Sequence, residues 1–467
     1  MIRLKWIAPA AAQAWRLRRW LALALLIGGT AAGGLGVWLF LQPFDLAPYT
    51  AVDASPVLLD RSGRLLYPYL NEEDQWRFPV ALDKMSRRLV EATIAAEDQR
   101  FYRHHGVDTV AMIRAVMQNV RAAGVRSGAS TLTMQVVKLS EGDRGGIGGK
   151  LRQAWQALRL ERRLSKPEIL QAYLNGAPYG QNLVGAEAAA RRYFGKPAAE
   201  LTLPEAALLA ALPKAPTGLE PIRNPGRALA RRNYVLGRMC AEGFISSEER
   251  DRAMAMDLAA GWHEFPRLAP HLAMALEKEA RAAGEVRLTL DDKLQARVEA
   301  YLPEALRRFN GEVTNAAVII IDTATGAVLA RVASADFYSA DAGQVDLCLA
   351  PRSPGSTLKP FTYALAFDQQ VLYTSEMLLD DTADYGRYNP ENFDGEYHGL
   401  VSAEKALRAS LNVPAVTVLD RYGTPALHGF LRQAGLTTIL AGPDYYGLGL
   451  TLGNCEVRLE ELAAAYT

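Results

Sequence analysis

The chain is poor in cysteine: only Cys240, Cys348 and Cys455 occur among 467 residues, an odd and scattered set. That excludes a disulfide framework or a thiolate zinc cluster, so each reads as a small buried apolar residue. Histidine is scarce as well. Of six, only His104 and His105 stand together, which argues against a metal enzyme. The formal net charge is +1, so no excess of one sign points to nucleic acid or another polyanion. Internal repeats and low-complexity tracts are missing. Long hydrophobic runs are missing too, with one exception near the N-terminus.

That exception is Trp20 to Gln42, 23 almost uninterrupted apolar residues. As a helix the run is ~34 Å long, enough to cross a bilayer core. Arg3, Lys5, Arg16, Arg18 and Arg19 precede it, whereas Asp45 and Asp53 follow. The positive-inside rule therefore keeps residues 1–19 cytoplasmic, makes 20–42 a single-pass anchor and exports the rest. The run is longer than a usual signal-peptide core, and Pro43-Phe44-Asp45 is a poor cleavage site, so the anchor is expected to stay. Gly28, Gly29, Gly33 and Gly34 would let another helix approach closely.

With 49% hydrophobic residues the chain can fill two or three domain cores. Residues 43–80 alternate in short apolar and polar runs around the turn Asp60-Arg61-Ser62-Gly63, and read as a strand-rich linker. Residues 81–256 read as helices, among them Ile169 to Leu174, Val184 to Phe194 and Pro204 to Leu212. After an interdomain stretch over 257–310, Val318-Ile319-Ile320-Ile321 and Ala327-Val328-Leu329-Ala330 flank a turn, a hairpin that opens a mixed α/β domain over 311–467.

Within the helical region Val90, Ile94, Glu97 and Phe101 fall at i, i+4, i+7 and i+11, one face of a helix. A carboxylate in an apolar stripe is costly unless paired or neutralised. Burial there raises its pKa, as a general acid or base requires. The stripe alone leaves two readings open, a structural ion pair and a catalytic group. His104 lies near the same face, and Gly106 suits a helix C-terminus.

The string Glu97-Asp98-Gln99-Arg100-Phe101-Tyr102-Arg103-His104-His105-Gly106 resembles the first signature of the peptidoglycan glycosyltransferase family, whose members polymerise lipid II. A second signature follows about 30 residues on, as in that family: Gly128-Ala129-Ser130-Thr131-Leu132-Thr133-Met134-Gln135, then Lys138. A third begins Lys150-Leu151-Arg152-Gln153, passes Leu160-Glu161 and Lys166-Pro167-Glu168-Ile169-Leu170, and ends Tyr173-Leu174-Asn175.

The second domain holds Ser356 and Lys359, three apart and so on one face at a helix start. A serine hydroxyl is a poor nucleophile until a neighbouring base takes its proton, and a desolvated lysine can do so. Ser410-Leu411-Asn412, about fifty residues on, matches the Ser-x-Asn element of penicillin-binding and β-lactamase serine acyltransferases. Glycosyltransferase first and transpeptidase second, behind one anchor, resembles the class A penicillin-binding protein family over essentially the whole chain after residue 15. Met134, Gln153 and the short linker mark a particular subtype within it.

The resemblance implies a multidomain protein: a transmembrane helix, a mainly α, lysozyme-like glycosyltransferase domain, and an α/β (α+β) serine-acyltransferase domain. It implies that Glu97 deprotonates the acceptor 4-hydroxyl, which displaces undecaprenyl pyrophosphate from the growing chain with inversion. Asp98, Phe101, His104, Gly128, Ser130, Thr131, Gln135, Lys138, Lys150, Arg152 and Gln153 would bind substrate, several by meeting the charge of the pyrophosphate. Gln153 stands where most of the family has glutamate, and its amide would hydrogen-bond where the carboxylate does. Ser356 would form the acyl-enzyme, Lys359 act as base, Ser410 relay the proton and Asn412 hold the substrate amide.

No cofactor is required, and a divalent cation at the glycosyltransferase site has Asp98 as its one candidate ligand. Implied partners are lipid II, the glycan strand, stem peptides, membrane lipid, other cell-wall synthesis proteins and, for a full-length form, β-lactams at Ser356. Implied placement is the inner membrane, catalytic domains periplasmic. No Lys-Thr-Gly or Lys-Ser-Gly follows Asn412 and the sequence stops at Thr467, so the second domain is expected to be truncated and weak in crosslinking. A lytic glycan hydrolase, which also needs one catalytic glutamate in a helical domain, and a non-catalytic scaffold are the rival readings.

Overall fold

The computed structural model describes residues 42–121, 130–386 and 388–467, together with Trp20, Thr30 and Gly34. Among the described residues no helix is long and apolar enough to cross a membrane. The anchor expected over 20–42 lies almost wholly outside them, as does Gly128. The chain divides into two compact units, one reaching to Ser55 and resuming over Leu70–Glu264, the other formed by Pro56–Tyr69 and Phe265–Thr467. The segment 43–80 therefore contributes to both.

The first unit is helical: α1 (Arg87–Glu97), α2 (Thr109–Arg121), α3 (Leu132–Glu141), α4 (Gly146–Leu160), α5 (Lys166–Gly176), α6 (Ala186–Phe194), α7 (Leu203–Ala211), α8 (Pro225–Ala241) and α9 (Ser247–Ala255). Local chemistry sets several starts. Ser165 with Glu168 and Thr202 with Glu205 form capping boxes on α5 and α7, each with proline in the first turn. Thr131 caps α3 by accepting from the Met134 N–H. Helix α7 is nearly all Ala and Leu and packs against α1 and α8. Here the sequence reading needs correcting. Helix α1 ends at Glu97, Asp98 leaves helical geometry with φ −154°, and Phe101–Arg103 forms a separate 3-10 turn. Phe101 and His104 therefore do not continue the Val90–Ile94–Glu97 face.

In the second unit β1 (Val57–Leu59) pairs antiparallel with β2 (Leu65–Pro68) and parallel with β3 (Glu285–Arg287), closing a gap of more than two hundred residues. The turn is held by the buried Asp60, which accepts from the Ser62 and Arg64 N–H groups and from the Arg64 guanidinium. The expected hairpin is present as β4 (Val318–Ile321) and β5 (Val328–Val332). A second antiparallel pair joins β6 (Met377–Asp380) to β7 (Gly399–Ser402). Helices α10 (Lys359–Asp368), α11 (Asn412–Tyr422) and α12 (Thr424–Gln433) enclose an aliphatic core of Leu358, Phe361, Leu419, Leu427 and Leu431. Cys348 and Cys455 are buried as expected, whereas Cys240 is only partly so.

Candidate active sites

The first site forms where α1 ends. Glu97, half-buried, accepts a 2.7 Å hydrogen bond on Oε2 from Gln135 Nε2 of α3. Its Oε1 is buried and has no hydrogen-bond partner among the described residues. A carboxylate with one oxygen fixed by a neutral amide and the other free is oriented without being neutralised, as a proton acceptor must be.

Asp98 does something different from its neighbour. It is 7% exposed, and both its oxygens are engaged: His104 Nε2 lies at 3.1 and 3.0 Å, and the Leu132 N–H donates to Oδ2 at 3.0 Å. It ties the end of α1 to the start of α3, the two elements that carry Glu97 and Gln135. Asp98 and His104, expected to bind substrate, are thus paired with one another and with the start of α3 in a buried clamp. Phe101 is wholly buried, with Lys166 Nζ 4.3 Å from its ring centroid, and serves packing. Thr131, 2% exposed, donates to the Gly106 carbonyl at 2.6 Å while capping α3. Gly106 has φ +90°, and a Cβ there would meet Ala157 backbone carbon and oxygen at 2.7 Å, so α4 sits directly on it.

The basic residues divide. Lys150 Nζ donates to Ser130 Oγ at 2.9 Å, bringing the second and third signatures together at an accessible edge. Lys138 pairs with Asp143 at 2.8 Å and Arg152 with Glu141 at 2.8 Å. Gln153 is 7% exposed, on the same helix as Lys150.

Two residues escaped the sequence reading. The hydroxyls of Tyr173 and Tyr179 are buried without hydrogen-bond partners among the described residues. Burial first, and the Glu97 charge second, push both phenols well above their ordinary range. Tyr173 stands in the third signature, but nothing in its spacing says that its ring reaches Glu97.

In the second unit Ser356 sits exposed on a short turn, Gly355–Leu358, directly before α10. Lys359 is 1% exposed, and burial pushes its ammonium down to about 8. Its Nζ donates to the Ser410 carbonyl, to Ser410 Oγ at 3.2 Å and to Asn412 Oδ1 at 2.7 Å. Ser410 has φ +55°, a left-handed conformation that turns its carbonyl and hydroxyl toward the lysine. The structure thus joins Lys359, Ser410 and Asn412. The sequence places Ser356 beside Lys359, but the three donors of the ammonium are directed to the other two residues. Asn412 engages its amide nitrogen as well, because Nδ2 donates to the Glu391 carbonyl at 2.8 Å at the surface.

These two sites coincide with two matched domain families, Transglycosylase over residues 62–240 and Penicillin binding protein transpeptidase domain over residues 316–447. Among curated relatives, penicillin-binding protein 1C of Escherichia coli (strain K12) is 39% identical over 424 residues, 90% of this chain and 54% of its own length. That is the subtype to which Met134 and Gln153 point. Penicillin-binding protein 1F of Bacillus subtilis (strain 168) is 33% identical, covering 88% of this chain and 58% of its own length. Penicillin-binding protein 1A of Streptococcus oralis is 30% identical over 90% of this chain and 70% of its own length. The chain spans little more than half the length of the first two. The two domain families in this order, with relatives of one kind along nine-tenths of the sequence, make the assignment: the chain belongs to the class A penicillin-binding protein family.

Proposed function

We propose that the chain polymerises lipid II into β-1,4-linked glycan strands and that, in a full-length form, Ser356 is acylated by stem peptides for crosslinking. The observation that carries the first activity is Glu97 held by Gln135 through one oxygen, with the other unpaired among the described residues. In this reading Oε1 takes the proton of the acceptor 4-hydroxyl as that oxygen attacks the anomeric carbon and undecaprenyl pyrophosphate departs. Lys150 and Ser130 meet the developing charge, and Lys138 and Arg152 reach it by exchanging their carboxylate partners for phosphate. The apolar run over 20–42 anchors the protein in the cytoplasmic membrane, and both catalytic units work outside it, where lipid II is presented.

For acyl transfer, Lys359 in its neutral form takes the Ser356 proton, and Ser410 Oγ, 3.2 Å from Nζ, passes a proton to the departing amine. The test of the first activity is incubation of the detergent-solubilised chain with labelled lipid II, followed by a muramidase. A ladder that the muramidase collapses is expected. Cleavage of preformed glycan with no polymer from lipid II would instead establish a lytic hydrolase.

A further inference from the structure

Beneath the Lys359 site lies a hydrogen-bonded chain of buried polar groups. Asp380, at the end of β6, is fully buried, and Asn392 is 6% exposed. Asn392 Nδ2 donates to both Asp380 oxygens, at 2.8 and 2.9 Å, and to the Glu396 carbonyl at 2.8 Å. Asn392 Oδ1 accepts from the Asn412 N–H at 2.8 Å. That N–H belongs to the first turn of α11, where no intrahelical acceptor exists, so Asn392 acts as a cap delivered from a distant loop. Asp380 accepts further from His398, from its N–H at 2.9 Å and from Nδ1 at 3.0 Å.

The chain has a direction. An ionised carboxylate only accepts, so Asp380 obliges the Asn392 amide to present its NH2 inward and its oxygen to α11. The Glu391 carbonyl imposes the same choice on Asn412, whose oxygen then faces Lys359. With either amide reversed, donor would face donor and acceptor face acceptor, at the cost of unmet hydrogen bonds.

We infer that Asp380 and Asn392 are positioning residues for acyl transfer, fixing the start of α11 and through it the acceptor that aims Lys359. This rests on the acyl-transfer reading of Ser356. Neither residue reaches substrate. They matter because a displacement of about 1 Å in a reacting group can cost about a hundredfold in rate.

The test compares the parent chain, Asp380→Asn and the exchanged pair Asp380→Asn/Asn392→Asp, using a fluorescent penicillin to follow acylation of Ser356 and circular dichroism to follow folding. Asp380→Asn keeps shape but lets residue 380 donate, and is expected to slow acylation at least about tenfold. The exchanged pair restores an acceptor opposite a donor and is expected to recover most of the rate. Asp380→Asn within about twofold of the parent overturns the inference, as does an exchanged pair that is folded but no faster than the single variant. An exchanged pair that fails to fold, as loss of the donor to the Glu396 carbonyl would allow, leaves the decision to amine labelling of Lys359 in Asp380→Asn.

A parent chain that takes up no penicillin would count against the acyl-transfer reading instead. Competitive amine labelling of Lys359 across pH, read by mass spectrometry, then decides the inference alone. An Asp380→Asn midpoint raised toward ordinary lysine supports it, and an unchanged midpoint refutes it.

Discussion

Replacing Asp98 with alanine separates the two adjacent carboxylates of the first site. Asp98 is buried and accepts from the Leu132 N–H and from His104 Nε2, so its removal leaves two buried donors without acceptors. Each orphaned group costs about 1–3 kcal/mol, giving roughly 4 kcal/mol for the pair. At about 2–4 °C per kcal/mol for a domain of this size, the unit's unfolding midpoint should fall by about 8–16 °C. Asp98→Asn keeps one acceptor for Leu132, and His104 can change tautomer to accept from the new amide, so the loss should shrink to about 1–2 kcal/mol. Glu97→Gln, which retains an acceptor for Gln135, should move stability by less than about 1 kcal/mol. Thermal unfolding of the three variants, each also assayed for lipid II turnover, checks the order. An Asp98→Ala chain that melts within about 2 °C of the parent yet makes no polymer would refute the clamp, and would return Asp98 to substrate or cation binding.

Two further outcomes follow from the geometry. Lys359 is pushed down to about 8, so its neutral, proton-accepting fraction rises with pH through that value. Acylation of Ser356 by a β-lactam, measured at subsaturating drug, should increase about fivefold from pH 7 to 8 and level off above about pH 9. A flat profile over that range would remove Lys359 as the base. Gly106→Ala should be among the most damaging single changes in the first unit, because its φ of +90° and its 2.7 Å approach to Ala157 add strain to overlap. A loss of at least about 3 kcal/mol in denaturant midpoint analysis is expected, and a loss under about 1 kcal/mol would contradict the close packing of α4 on that turn.

Much of this was legible in the sequence where the chemistry is local. The Glu97 signature, the proline-led start of α7, the Asp60–Gly63 turn and the β4–β5 hairpin each depend on residues within about ten positions of one another. Long-range partners were not legible. Nothing in Val57–Leu59 announces pairing with Glu285–Arg287, because a ladder between distant segments leaves no periodicity in either. The signature also carries roles that spacing cannot sort. Glu97 and Asp98 are adjacent carboxylates, yet the helix ends between them, leaving one half-buried against Gln135 and turning the other inward. Phe101, His104 and Thr131 are buried around the site, and Tyr173 and Tyr179 come under the Glu97 charge only through the packing of α5 and the short strand Pro178–Gly180 after it. Ser356 and Lys359 were visible as a pair, but the orientation of the ammonium toward Ser410 and Asn412 needed the left-handed turn at Ser410.

The most direct measurement is the initial rate of lipid II polymerisation by the parent chain and by Glu97→Gln, side by side at equal folded concentration. The account predicts a fall of about 10²–10⁴-fold, with the unfolding midpoint essentially unchanged. A Glu97→Gln chain that polymerises within about threefold of the parent would contradict it, because the carboxylate that Gln135 holds would then not be the proton acceptor.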